Sequence, residues 1–162
     1  MPHFLLKNLK DTNLFGKIIA ENIQTPLIIY LEGDLGAGKT TLARAIIQNL
    51  GFHGNIKSPS YSIVEVYNVS RLYLYHFDFY RFLSPEEFEE AGLIEYFNDK
   101  QKDRICLVEW SQNAAPFVPL ADLRIHLFAE NNEEMRGFNM VADSKAGEKC
   151  LKKMLPNIQK TF

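Results

Sequence analysis

The chain has 162 residues, 46% of them hydrophobic and 23% charged, the make-up of a globular protein able to bury a core of its own. Those proportions exclude a disordered tail and a collagen-like repeat, and no apolar run approaches the roughly 20 residues of a membrane-spanning helix. With 18 basic against 20 acidic residues the net charge is −2, which excludes a general polyanion binder, so contact with nucleic acid must be local or shared with a partner.

One domain over residues 1–162 is expected, since neither a linker nor a repeat interrupts the chain. The stretch from Met1 to Asp11 holds Phe4, Leu5 and Leu6 but no basic leader or small-residue cleavage site, so no export signal is expected. Asp11-Thr12 predicts a helix start, and Leu14, Phe15, Ile18, Ile19 and Ile23 follow at a period of 3.6. Beyond Pro26, Leu27 to Leu31 is apolar at every position, the pattern of a strand buried on both faces in a parallel sheet. A glycine-rich turn leads into a helix carrying Leu42, Ala43, Ile46, Ile47 and Leu50, which stops at Gly51.

From Tyr61 to Tyr80 the residues alternate about an Asn68-Val69-Ser70 turn, which predicts an antiparallel hairpin with Leu72, Leu74, His76, Asp78 and Tyr80 on one face of its second strand. Ser84-Pro85-Glu86-Glu87 predicts a helix capped by the serine, its acids from Glu86 to Glu95 forming a solvated face. Ile105 to Trp110 reads as a second buried strand, Ala121 to Phe128 and Met135 to Val141 as two more, and Ser144 to Leu155 as a closing helix with a lysine-rich solvated side. Cys106 and Cys150 cannot form a disulfide framework and fit a reducing, cytoplasmic setting. The four histidines lack zinc spacing.

Chemistry enters at Gly33-Asp34-Leu35-Gly36-Ala37-Gly38-Lys39-Thr40, which fits G-x-x-x-x-G-K-T, a phosphate-binding loop between a buried strand and an amphipathic helix. Glycines allow successive backbone N–H groups to turn towards one anion, and the helix opening at Lys39 aims its positive end there. Lys39 would reach terminal phosphate oxygens, with the Thr40 hydroxyl on Mg²⁺. A second magnesium ligand is expected from an acid closing a buried strand, which Glu109 does. Asp78 is the candidate for orienting water or acting as base. His76 reads more readily as a structural histidine. Lys57-Ser58-Pro59-Ser60-Tyr61 stands where a nucleotide-sensing switch segment would lie.

The loop through Thr41, the Lys57–Tyr61 segment, His76-Phe77-Asp78-Phe79-Tyr80-Arg81 and Val108-Glu109-Trp110 occur in that order. Together they resemble the bacterial TsaE (YjeE) family, small ATPases of the pathway that makes threonylcarbamoyladenosine in tRNA, and the likeness covers about residues 10 to 150. The resemblance implies an α/β, P-loop NTPase-like three-layer fold with a mixed, partly antiparallel sheet. It implies ATP and Mg²⁺, with Gly33, Asp34, Gly36, Ala37, Gly38, Lys39, Thr40 and Thr41 on the nucleotide, Thr40 and Glu109 on the metal, and Lys39, Asp78 and Glu109 in catalysis. Thr12 matches a threonine near the adenine, Arg136 matches an arginine of a late strand, and Ser60 takes the place of the usual switch threonine. Ser111 follows Glu109-Trp110 where proline is common.

The resemblance further implies work beside a TsaD-type carbamoyl-transferring subunit and its TsaB-type paralogue, with tRNA reached indirectly through that complex and no membrane involved. Only six arginines are present, with Arg81 the one candidate for a charge-stabilising finger, so slow hydrolysis by the isolated chain is expected. The alternative is a small P-loop kinase acting on a metabolite or nucleotide. Such an enzyme needs an arginine-rich lid, and the stretch from Asp78 to Glu109 holds only Arg81 and Arg104 amid five acids between Glu86 and Glu95.

Overall fold

The apolar run Leu27–Leu31 lies near the middle of a seven-stranded sheet in a computed structural model that describes residues 2–99 and 103–162. The strands are β1 (Phe4–Leu6), β2 (Leu27–Glu32), β3 (Val64–Val69), β4 (Leu72–Asp78), β5 (Asp103–Glu109), β6 (Leu123–Ala129) and β7 (Arg136–Ala142), in the order β1-β7-β6-β2-β5-β4-β3. β2 runs parallel to both its neighbours, β5 and β6, and β4 runs parallel to β5. The outer pairs β3–β4, β6–β7 and β1–β7 are antiparallel. The sheet is therefore mixed, as the resemblance implied, with a parallel centre and antiparallel edges.

Alternate residues of the central strands serve different layers. Ile29, Leu31, Ile105 and Leu107 pack against α1 (Leu9–Asn22), α2 (Lys39–Asn49) and α5 (Lys145–Thr161) through Phe15, Ile19, Leu42, Ile46, Met154 and Ile158. Tyr30, Cys106, Val108 and Phe77 face α3 (Glu86–Glu90) and α4 (Ile94–Asn98), which contribute Phe88 and Phe97. Helices on both faces explain why β2 and β5 are apolar at successive positions.

Several boundaries differ from the sequence expectation. The first helix opens at Leu9 rather than at Asp11-Thr12, because Asn8 accepts from the Asp11 N–H at 3.1 Å while the Asp11 carboxylate accepts from the Lys7 N–H at 2.8 Å. This reciprocal arrangement spends Asp11 inside the first turn. Phe4 to Leu6, read only as an apolar scrap, forms an edge strand on β7. The hairpin turn falls at Ser70-Arg71, one residue later than expected, with Ser70 in the left-handed region at φ 56°. Helix α3 opens at Glu86 with Pro85 rather than Ser84 at its N-cap and no side-chain cap bond, and the Glu87 carboxylate accepts from the Ser84 N–H at 3.1 Å. The acidic stretch breaks at Gly92 into two short helices. The last helix runs through Pro156 to Thr161, because Ile158 on its inner face is wholly buried. Among the described residues no helix is long and apolar enough to cross a membrane.

Candidate active site

The loop after β2 is built on close approach. Gly33 has φ 138°, and a Cβ there would lie 2.2 Å from the Leu127 carbonyl oxygen on β6, so only glycine lets the chain leave the strand at this point. The turn closes through Ala37 N–H to the Asp34 carbonyl at 3.0 Å. Gly38, at φ 101°, precedes α2 and offers no side-chain cap, so the first-turn N–H groups are left to an outside acceptor. Lys39 reaches back across the loop, its ammonium donating to the Gly33 and Asp34 carbonyls at 2.7 Å each. Its Nζ also stands 4.6 Å from the Trp110 ring centroid. Burial pushes the Lys39 pKa below its ordinary value, against the pull of Glu109, Asp78 and Asp34. A desolvated ammonium at the mouth of a positive helix end is suited to an anion bearing several charges.

The tips of β4 and β5 supply the acids. Asp78 and Glu109 are direct neighbours across the sheet, and Glu109 is in turn the register partner of Leu31 on β2. The Thr40 hydroxyl donates to Glu109 Oε1 at 2.8 Å and reaches Oε2 at 3.1 Å. Glu109 Oε2 lies 2.6 Å from His76 Nε2, both residues almost fully buried. Asp78 Oδ1 accepts from the Tyr80 N–H at 2.9 Å, and Oδ2 lies 3.4 Å from the Ser60 hydroxyl. Burial raises the Asp78 pKa, and the Tyr80 N–H and Ser60 bonds only partly offset it. After Glu109 the chain turns sharply, with Trp110 in the left-handed region at φ 58° and its ring 4.9 Å from that of Tyr80.

These groups line one cavity of about 360 Å³, bounded by Lys39, Thr40, Ser60, Asp78, Glu109 and Trp110. A second cavity of about 610 Å³ lies on the other side of the loop and is lined by Thr12, Arg136, Asn8, Lys10, Glu133 and Glu134 among others. The two share Gly36, Gly38 and Thr41, so together they follow the loop as one path, narrow and acidic at one end and roomy at the other. Arg136 ties the parts together, donating to the Gly36 carbonyl at 3.3 Å and to the Glu133 carbonyl at 2.5 Å. A hydroxyl and a carboxylate are hard oxygen donors of the kind Mg²⁺ takes from a protein, the rest of its shell coming from phosphate and water. The Thr40–Glu109 pair fits that ion. Among the described residues no group of three or more His, Cys, Asp or Glu forms a self-contained metal site.

Of the residues singled out in the sequence, Thr12 and Arg136 line the roomy end, Gly36 and Gly38 to Thr41 the stretch between, and Ser60, Asp78 and Glu109 the acidic end, whereas Gly33 and Asp34 meet the path only through Lys39 and Ala37 is buried. His76, which reads from the sequence as a structural histidine, is hydrogen-bonded to Glu109. Its parity with Asp78 on the alternating strand was the signal. Asn8, Lys10, Glu133 and Glu134 had no motif to mark them.

The family described as "Threonylcarbamoyl adenosine biosynthesis protein TsaE" matches residues 6–138 of the chain. A Haemophilus influenzae tRNA threonylcarbamoyladenosine biosynthesis protein TsaE is 40% identical over 142 residues, covering 85% of this chain and 87% of the relative. A Bacillus subtilis protein of the same name is 35% identical over 127 residues, 78% of this chain and 77% of its own. The crystal structure of Bacillus subtilis YdiB superposes with a TM-score of 0.76 at 29% identity, covering 96% of this chain and 95% of that one.

Proposed function

The chain belongs to the TsaE family, and from that premise we propose that it is the Mg²⁺-dependent, ATP-binding and slowly ATP-hydrolysing subunit required for threonylcarbamoylation of adenosine 37 in tRNA. In this reading residues 1–162 form a single ATPase domain. It works in the cytoplasm beside a TsaD-type carbamoyl-transferring subunit and its TsaB-type paralogue, and meets tRNA only through their complex.

The observation that carries the reading is the meeting of Lys39, Thr40 and Glu109 at one loop, with Thr40 2.8 Å from a carboxylate oxygen that comes from a different strand. The backbone from Gly33 to Gly38 would cradle the phosphates, and Lys39 would exchange its two carbonyl partners for phosphate oxygens. Asp34, Ala37 and Thr41 belong to the same cradle. Thr12 and Arg136 would border the base and ribose in the wider cavity. Thr40 and Glu109 would hold Mg²⁺, which when bound neutralises charge on the terminal phosphates. Asp78, held by Tyr80 and touched by Ser60, would orient or deprotonate the attacking water.

The deciding experiment is tRNA modification reconstituted from purified components with this chain, without it, and with Lys39→Ala. Modification is expected only with the unaltered chain, and ADP release is expected to need water but no small-molecule acceptor. Full modification with Lys39→Ala would overturn the reading, and acceptor-dependent ADP release would favour a kinase.

A further inference from the structure

We propose that His76 is a positioning residue that clamps the Glu109 carboxylate through an Nε2–H bond and so fixes the oxygen offered to the metal. The inference rests on the reading above that Glu109 and Thr40 hold Mg²⁺.

Three observations carry it. His76 Nε2 and Glu109 Oε2 are 2.6 Å apart, just under the usual N–H···O range of about 2.7–3.2 Å, with the imidazole 1% and the carboxylate 2% exposed. The other ring nitrogen, Nδ1, is buried and finds no hydrogen-bond partner among the described residues. A bare Nδ1 lone pair needs no acceptor, whereas an N–H at that atom would be left unmet. The geometry therefore puts the proton on Nε2, which makes the ring a donor aimed at the carboxylate. Thirdly, Thr40 makes its shorter bond to Oε1, at 2.8 Å, and its longer one to Oε2. Oε2 is held by the histidine, and Oε1 stays with the hydroxyl expected on the ion.

The sheet makes the clamp rigid. His76 lies on β4 opposite Leu107, and the next residue of the same face, Asp78, lies opposite Glu109. A side chain two residues back along a parallel neighbour can reach the carboxylate only diagonally, and the imidazole has that length. Partners that orient a metal-binding carboxylate commonly matter for metal affinity by about 10–100-fold. His76 does not touch nucleotide in this account and acts only through Glu109.

The test uses the full-length chain and a fluorescent ATP analogue, titrated with Mg²⁺ and, separately, in EDTA. His76→Leu is expected to raise the half-saturating Mg²⁺ concentration about 10–100-fold while leaving analogue affinity in EDTA within about twofold of the unaltered chain. His76→Gln, whose amide nitrogen can replace Nε2, is expected to restore most of the metal response, and His76→Asn, with its nitrogen near the Nδ1 position, is not. In a Glu109→Gln background His76→Leu is expected to add no further loss. Equal Mg²⁺ responses in the unaltered chain and all three variants would overturn the proposal, as would fully additive losses with Glu109→Gln.

Should His76→Leu fail to fold, the Gln and Asn pair decides. Nitrogen NMR of the unaltered chain adds an independent reading, with a protonated Nε2 and a bare Nδ1 expected and the reverse pattern overturning the clamp. If the unaltered chain itself binds the analogue with no response to Mg²⁺, it is the reading of Thr40 and Glu109 as magnesium ligands that fails, and the binding of nucleotide stands.

Discussion

At Asp78 two requirements oppose each other. A carboxylate must be kept at the cavity for water chemistry, yet burial disfavours its charge and raises its pKa. Because the folded value lies above the unfolded one, the fold favours the protonated form. The charged residue therefore lowers stability once pH rises past its ordinary range, and the penalty is absent in strong acid. Asp78→Asn keeps an acceptor for the Tyr80 N–H and removes the charge. It is expected to melt about 2–4 °C higher than the unaltered chain at neutral pH, the shift that about 1 kcal/mol makes at this length, and to lose about 10²–10⁴ in hydrolysis. Melts repeated down the pH scale should show the gap closing, and a gap that widens in acid would contradict the burial argument. Trp110 offers a second test at this scale. Its indole lies against the Lys39 ammonium, so movement of that cation on to phosphate must alter its surroundings. Adding ATP with Mg²⁺ is expected to change tryptophan emission in the unaltered chain and leave it unmoved in Lys39→Ala. Trp110 is the sole tryptophan, so the signal has one source.

Among the elements, α5 shows how a helix is fixed to the sheet at its first turn. Ser144 accepts from the Gly147 N–H at 3.1 Å and donates to Asp122 Oδ1 at 2.6 Å, while the other Asp122 oxygen accepts from the Ile28 N–H at 2.8 Å. One aspartate thus links the helix start to the strand that carries the loop. Ser144→Ala is expected to cost about 1 kcal/mol, seen as a melting point about 2–4 °C lower. Gly147→Ala is expected to cost more, since its Cβ would lie 1.8 Å from the Asp122 carbonyl oxygen. Differential scanning calorimetry of the two variants checks both. The same element shows what the sequence made legible. A closing helix from Ser144 was readable, and the apolar runs of β2 and β5 announced a parallel centre. Lys39 was readable as the opening of α2. The edge strand β1 was not readable, because three residues carry too little periodicity and its pairing with β7 spans 130 to 134 positions. The far end of α5 was missed because Pro156 is a local stop signal that burial of Ile158 overrides. At the site, motifs marked the loop and both acids, whereas the clamp on Glu109 and the acidic rim at Glu133 and Glu134 depend on distances that no local pattern encodes.

For the whole molecule, the distribution of arginines sets an expectation about partners. Arg136 is engaged with carbonyls of the loop and of the β6–β7 turn. Arg124 pairs with Asp143 at 2.5 Å, and Arg104 reaches the Asp99 carbonyl. Arg81 lines the acidic cavity, but its guanidinium lies 4.1 Å from the ring of the exposed Tyr61. A cation supplied to a phosphoryl-transfer site is worth about 10³–10⁵ in rate. The isolated chain is therefore expected to hydrolyse ATP slowly, and to speed up at least about tenfold on addition of the assembled transferase complex, a modest part of that range. Steady-state ADP release with and without the complex measures this, and equal rates would count against a dependent role. Arg81→Ala is expected to weaken the stimulated rate more than the basal one.

The parallel pairing of β2, β5 and β4 sets Leu31, Glu109 and Asp78 in a row, and that row makes the reading frame of β5 a functional quantity. Side chains alternate faces, so one extra residue inside Asp103–Glu109 would swing the carboxylate from the α2 side into the aromatic layer of Phe77 and Phe79. A two-residue insertion would restore its direction but overshoot Thr40 by the length of a strand dipeptide, about 7 Å. Length polymorphism should accordingly be tolerated at the opposite pole, around Ser70-Arg71, and be lethal to turnover here.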